Sequence, residues 1–175
     1  MPFTPFHFGP GLLLKAGVPR RMSFLAFATT QVAIDLESWH YLTANDPHVH
    51  RTLHTIGAAT LAGVGIGCLV WILGAGVHAL LGPRVAGMTI GTRLPVFESE
   101  VSMRGALTGG VLGGVTHSIF DAIVHGDVEP LLPLSRANPF LGLIEWNMME
   151  NACIVAGIAG LIAVLGNRRV WTTKR

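Results

Sequence analysis

The chain has 175 residues, half of them hydrophobic and only 13% charged, with a formal net charge of +2 and a mean hydropathy of +0.53. That length suits one domain, and so few charges on so much apolar surface point to lipid rather than water as the solvent. The small net charge gives no reason to expect a nucleic-acid partner, and Cys68 and Cys153, each inside an apolar run, argue against a disulfide framework or thiolate zinc site.

Residues 3–17 are apolar but interrupted by Gly9, Pro10 and Gly11. They have the length of a half-spanning or interfacial segment, a short helix over about 5–17. No basic region precedes Leu12, and Lys15, Arg20 and Arg21 follow the apolar patch, so no cleaved leader is expected. Spans are expected over about 22–42, 55–81, 103–125 and 141–166. Asp35 and Glu37 fall in the first, His117 and Asp121 in the third, and Glu145, Asn147, Glu150 and Asn151 at the start of the fourth.

The expected fold is all-α: a polytopic transmembrane helical bundle of four spans plus the short N-terminal helix, one membrane-embedded domain over 1–175. Helix is the only suitable element, because backbone polar groups in hydrocarbon need partners within the chain and the runs are too long for barrel strands. Gly63, Gly65 and Gly67 lie within a span without the strand that precedes a phosphate loop. With Gly109, Gly110, Gly113, Gly114, Gly157 and Gly160 they suit close helix packing, within the chain or in a homo-oligomer.

Four spans place ten of the twelve Lys and Arg on one face, from Lys15, Arg20 and Arg21 through Arg84, Arg93 and Arg104 to Arg168, Arg169, Lys174 and Arg175. That face is expected to be cytoplasmic, the membrane the inner cell membrane. Arg51 and Arg136 are left on the outward side. The N-terminal helix then starts outward at His7 and runs inward to Lys15.

On this topology, which rests on hydropathy and the Lys and Arg residues alone, the His and Asp residues gather at the outward ends of the helices. His117, Asp121 and His125 follow at i, i+4 and i+8 and share a helix face. His50 and His54 are also four apart, and Asp35, Asp127 and Glu129 lie at the same depth. Ionisable groups within a membrane are expensive unless paired, wetted or ligated. Neutral imidazole with carboxylate suits a divalent cation such as zinc, manganese or iron. The alternative for each pair alone is a hydrogen-bonded structural contact, and His40, His48 and His78 are read as interfacial.

The motifs are also ordered as in a known family. They are Pro5-Phe6-His7-Phe8-Gly9, then Ala33-Ile34-Asp35, then His50-Arg51-Thr52-Leu53-His54-Thr55, and finally Thr116-His117-Ser118-Ile119-Phe120-Asp121 with the loop Glu129-Pro130-Leu131-Leu132-Pro133. Over about residues 5–140 the chain resembles the membrane-bound metal-dependent hydrolase family, also described as LexA-binding, inner-membrane-associated hydrolases. It departs from the family's Pro-Asp-Ile-Asp motif at Ala33 and from the Gly after His-Arg at Thr52. The resemblance implies a metal site of His7, Asp35, His50, His54, His117 and Asp121, with His125, Asp127, Glu37 and Glu150 as secondary candidates. It implies a metal-activated water attacking a phosphoester or other ester of a lipid-like substrate. Asp35 or Glu129 would be general base, and Arg51 would neutralise a phosphate oxygen. Distant similarity to all-helical zinc phospholipase C and nuclease sites points to the same substrate class by analogy. Two other classes fit the residues: a metal-binding or transport protein, and an interaction protein with a structural metal and the basic segment 82–104 as docking surface.

Overall fold

A computed structural model describes residues 5–86 and 99–166, with side chains over 6–80 and 99–166. The side chains of Arg84, Arg93, Arg168, Arg169, Lys174 and Arg175, and most of segment 82–104, lie outside the described residues. The elements in chain order are α1 (Pro5–Gly17), α2 (Phe24–Thr43), a 3-10 turn at Thr52–His54, α3 (Ile56–Ala86), α4 (Met103–Val124) and α5 (Trp146–Gly166). No strand occurs among the described residues.

Among the described residues, three helices are long and apolar enough to cross a membrane: residues 56–80 of α3, α4 and α5, with mean hydropathies of 2.1, 1.3 and 2.0. A span needs ~20 mostly apolar residues. The 20 residues of α2 reach that length, but Gln31, Asp35, Glu37, Ser38 and His40 lower its hydropathy, and it falls outside this set. Half of the apolar window of α4 is buried, against 22% for α3 and 17% for α5. The most polar of the three is therefore the central one. α3 and α5 turn Leu61, Leu80, Val155 and Ile162 outward.

The helix limits follow local chemistry. Ser23 caps α2, its Oγ accepting from Ala26 N at 3.0 Å, and Ser102 caps α4 by accepting from Gly105 N at 3.1 Å. α2 ends where Asn45 takes a φ of 55°, with Asn45 N donating to Leu42 O and Asp46 N to Tyr41 O. This paired closure ends a helix on a left-handed residue, a conformation asparagine tolerates. The fourth expected span begins at Trp146 rather than 141. Gly142, at φ 74°, holds a turn there and donates its N–H to Ile123 O.

Glycine determines how closely the helices approach. A Cβ on Gly63 would stand 2.1 Å from Gly110 O, on Gly67 2.7 Å from Ala106 O, and on Gly114 2.1 Å from Ala59 O. As α3 descends, α4 rises, so the two are antiparallel. On the adjacent stripe of α4, a Cβ on Gly109 would meet Ser23 O at 2.0 Å and one on Gly113 would meet Phe27 O at 2.8 Å. α2 thus runs parallel to α4 in a second groove of small residues. These glycines are committed to contacts within one chain, while Gly65 and Gly76 face open space.

α1 and α5 pair in the same manner. A Cβ on Gly9 would lie 1.9 Å from Cys153 O, and one on Gly160 2.5 Å from Leu13 N. Lys15, at the far end of α1, is buried and not a surface charge. Its Nζ lies 2.6 Å from Glu100 Oε1 and donates to Met22 O and Ser99 Oγ. Glu100 Oε2 accepts from Leu25 N and Ser23 Oγ, so the same carboxylate closes the start of α2. His7, at the other end of α1, reaches His117 and Asp121. The C-terminal halves of α2 and α4 and the starts of α1, α3 and α5 therefore meet at one end of the bundle.

Candidate metal centre

Four side chains converge at that end: Asp35 from α2, His54 from the 3-10 turn, and His117 and Asp121 from α4. Each offers one donor atom, and these atoms lie within 4.8 Å of one another. His54, His117 and Asp121 are buried, while the Asp35 side chain is 25% exposed. His117 Nε2 lies 3.1 Å from Asp121 Oδ2 and 3.3 Å from Asp35 Oδ1, and His54 Nε2 lies 3.4 Å from Asp121 Oδ2. Despite these short distances, His117 Nε2 and Asp121 Oδ1 are both buried without a hydrogen-bond partner. Buried polar atoms are nearly always paired. Donor atoms that crowd together without aligning on one another suit a cation between them, and imidazole with carboxylate is a fitting donor set.

Flanking groups fix the ring orientations. Gln31 Oε1 lies 2.5 Å from His117 Nδ1, turning the opposite nitrogen to the carboxylates. Glu37 Oε2 lies 3.3 Å from His54 Nδ1 and also accepts from Leu53 N at 2.8 Å. Ser118 Oγ donates to His54 O, and Ser38 Oγ lies 3.2 Å from His54 Nε2. The Gln31 and Glu37 contacts, each to the ring nitrogen turned away from Asp121, are typical of metal-ligating histidine. Burial lowers the pKa of His54, but the carboxylates of Asp121 and Glu37 outweigh it and leave it above the ordinary histidine value.

His7 sits against this group from α1, with Nε2 3.5 Å from Asp121 Oδ1 and Nδ1 3.2 Å from His117 Nδ1. His50 does not join it. Although His50 and His54 are four apart, they do not share a helix face, because residues 50–54 are coil followed by a 3-10 turn. Their rings touch edge to face at 4.8 Å, but His50 turns to a second group with His125 and Asp127. Asp127 Oδ1 and Oδ2 are each 2.9 Å from His50 Nδ1, and the His50 and His125 rings stack at 4.3 Å. Burial lowers His125 to about 4, against the nearby carboxylate of Asp121. Asp127 lies below the usual carboxylate range, its burial outweighed by the His50 contact.

A groove of about 1060 Å³ is lined by His50, Asp127, Arg51, Glu129 and Arg136. The guanidinium of Arg51 is tied to Asp46, donates to His48 O and lies 4.1 Å over the Tyr41 ring. Glu150 lines a separate apolar recess beside His7, with Phe120 and Trp146. His40, His48 and His78 are exposed and join neither group. Gln31 and Ser38 carried no expectation. The available signal was their spacing, since Gln31, Asp35 and Ser38 follow at i, i+4 and i+7 on α2. Comparison with protein-family models, with curated proteins and with solved structures gives no match for this chain.

Proposed function

We propose that the chain is a multi-pass membrane protein that holds a divalent cation in its buried His/Asp group and hydrolyses a phosphoester or other ester of a lipid-like substrate. Zinc is the leading candidate, with manganese and iron behind it. The observation that carries the reading is the pair of buried, unpartnered atoms, His117 Nε2, 3.1 Å from Asp121 Oδ2, and Asp121 Oδ1, 3.5 Å from His7 Nε2. Bound there, such a cation would lower the pKa of a water and polarise an ester oxygen.

The chain's own residues supply the remainder. Asp35, the most exposed of the four, accepts the proton of the attacking water and passes it toward solvent. Gln31 and Glu37 hold the His117 and His54 rings in register. Arg51 and Arg136 line the groove and would meet a phosphate oxygen there, Arg51 by exchanging Asp46 for it, and Glu129 lines the same groove as a second candidate base. The resemblance to membrane-bound metal-dependent hydrolases supports the same reading through His7, Asp35, His50, His54, His117 and Asp121, and membership of that family is part of the proposal.

In this reading α2 is the fourth span, its polar face turned to α4 and its Leu25, Val32 and Leu36 to lipid. The membrane is the inner cell membrane and the site lies toward its extracytoplasmic side, following the basic residues. Membrane lipid is the partner of the exposed faces of α3 and α5.

The test is metal content and turnover of the full chain purified in detergent. The reading expects stoichiometric metal and release of phosphate or acyl product from lipid extracts, with the turnover and the equivalent held by the buried group both lost in His117→Ala and Asp121→Ala. Absence of metal from the parent protein would overturn it. Retained metal with no turnover on any ester class would leave the metal structural and overturn the hydrolase.

A further inference from the structure

We propose that His50, His125 and Asp127 form a second divalent-cation site, beside the groove that His50 and Asp127 line and separate from the buried group. The inference does not rest on the hydrolase reading. The three residues come from three segments: the coil after α2, the residue that closes α4, and the loop that follows. Their donor atoms nonetheless lie within 4.8 Å of one another.

An ordinary His–Asp pair accounts for only part of this arrangement. Asp127 sets both carboxylate oxygens 2.9 Å from a single nitrogen, His50 Nδ1, which has one hydrogen at most to share between them, and Oδ2 also accepts the His50 backbone N–H at 3.4 Å, which leaves Oδ1 with no other donor than that ring nitrogen. His125 stacks on His50 at 4.3 Å and 29°, and its Nε2 is closed to solvent with no hydrogen-bond partner. A cation bound by the three residues would satisfy that nitrogen and use the surplus carboxylate capacity.

The site is also pre-organised. Asn138 Nδ2 donates to Ala122 O and His125 O, fixing the end of α4. Trp146 holds the His125 ring edge to face at 5.5 Å. Two imidazoles and one carboxylate are a three-ligand set that leaves one coordination position open. Because His50 and Asp127 line the groove, an ion held by them can exchange with solvent. In the other group, three of the four members are buried.

The experiment is zinc titration of the metal-stripped full chain in detergent, read by equilibrium dialysis and atomic emission, for three proteins: the parent, His125→Gln/Asp127→Asn, and Asp121→Asn. The expected result is two equivalents for the parent and one for each variant, with the equivalent missing from the double variant being the faster to exchange. A single equivalent that survives Asp121→Asn and disappears in the double variant also supports the site. The proposal is overturned if the double variant binds as many equivalents as the parent at unchanged affinity, or if the parent binds none. Asp127→Asn alone, at a residue with a quarter of its side chain exposed, serves if the double variant does not fold. It should weaken the exchangeable equivalent at least tenfold, and unchanged affinity overturns the site.

Discussion

Gln31 Oε1 lies 2.5 Å from His117 Nδ1, and this contact between α2 and α4 decides which ring nitrogen faces Asp35 and Asp121. Neither residue could settle this alone, because an unrestrained imidazole offers either nitrogen.

Gln31→Leu is therefore expected to weaken cation binding by ~10–100-fold, as loss of such an orienting partner does elsewhere, with little change in helix content. Gln31→Glu, which keeps the acceptor, should bind close to the parent. Competition against a chromophoric chelator measures both. Equal affinity for the parent and Gln31→Leu would show that the glutamine does not orient the ring.

Chelation should lower the thermal stability of the parent protein. A ligand held at about 100 times its Kd stabilises the folded state by ~2.7 kcal/mol, which a melting curve in detergent resolves. Asp121→Ala should reduce the response to added metal and melt lower than the chelated parent, because His7, His54 and His117 lose the carboxylate they share. A variant that still responds to metal like the parent would mean that Asp121 is not a ligand.

Gly110→Ala should destabilise the bundle by ~1–3 kcal/mol, the usual range for overpacking, because its Cβ would fall 2.0 Å from Gly63 O. Gly65→Ala, with nothing within 4 Å of the new Cβ, should be neutral or stabilising by up to ~1 kcal/mol through helix propensity. Unfolding of the two variants in mixed micelles gives the comparison. Equal effects would contradict the packing of α3 on α4.

Lys15→Ala removes one member of a buried ion pair, a change that costs ~3–5 kcal/mol. The lower end is expected, since Glu100 keeps its contacts with Ser23 Oγ and Leu25 N and its side chain is 18% exposed. Lys15→Met with Glu100→Gln should recover part of the loss, because no charge is then left buried alone. A double variant less stable than Lys15→Ala would point to a role for the charges beyond the pair.

His48→Cys, in a chain whose Cys68 and Cys153 are replaced by alanine, tests the proposed orientation. His48 is exposed in the coil that leads to His50. A membrane-impermeant thiol reagent added to intact cells should label it. Labelling only after the membrane is opened would put the site on the cytoplasmic side.

The sequence alone determined the helices and the end of the bundle at which the polar residues gather. Hydropathy placed three spans to within a few residues, and the 3.6-residue period put His117 and Asp121 on one face of α4. These are local properties, written in consecutive residues. The sequence also contained the signal for Gln31, four residues before Asp35, but a buried glutamine becomes informative only when the ring beside it is known. Tertiary structure alone decided the partition of the candidate ligands. His50 and His54 have helical spacing, yet the coil after α2 and the 3-10 turn send His54 to Asp121 and His50 to Asp127. Lys15 follows the pattern of a surface charge in sequence, but the packing of α1 carries it to Glu100. Pairings between residues dozens of positions apart depend on how closely the helices approach. That approach is governed by glycines meeting carbonyl oxygens on neighbouring helices, which no stretch of consecutive residues specifies.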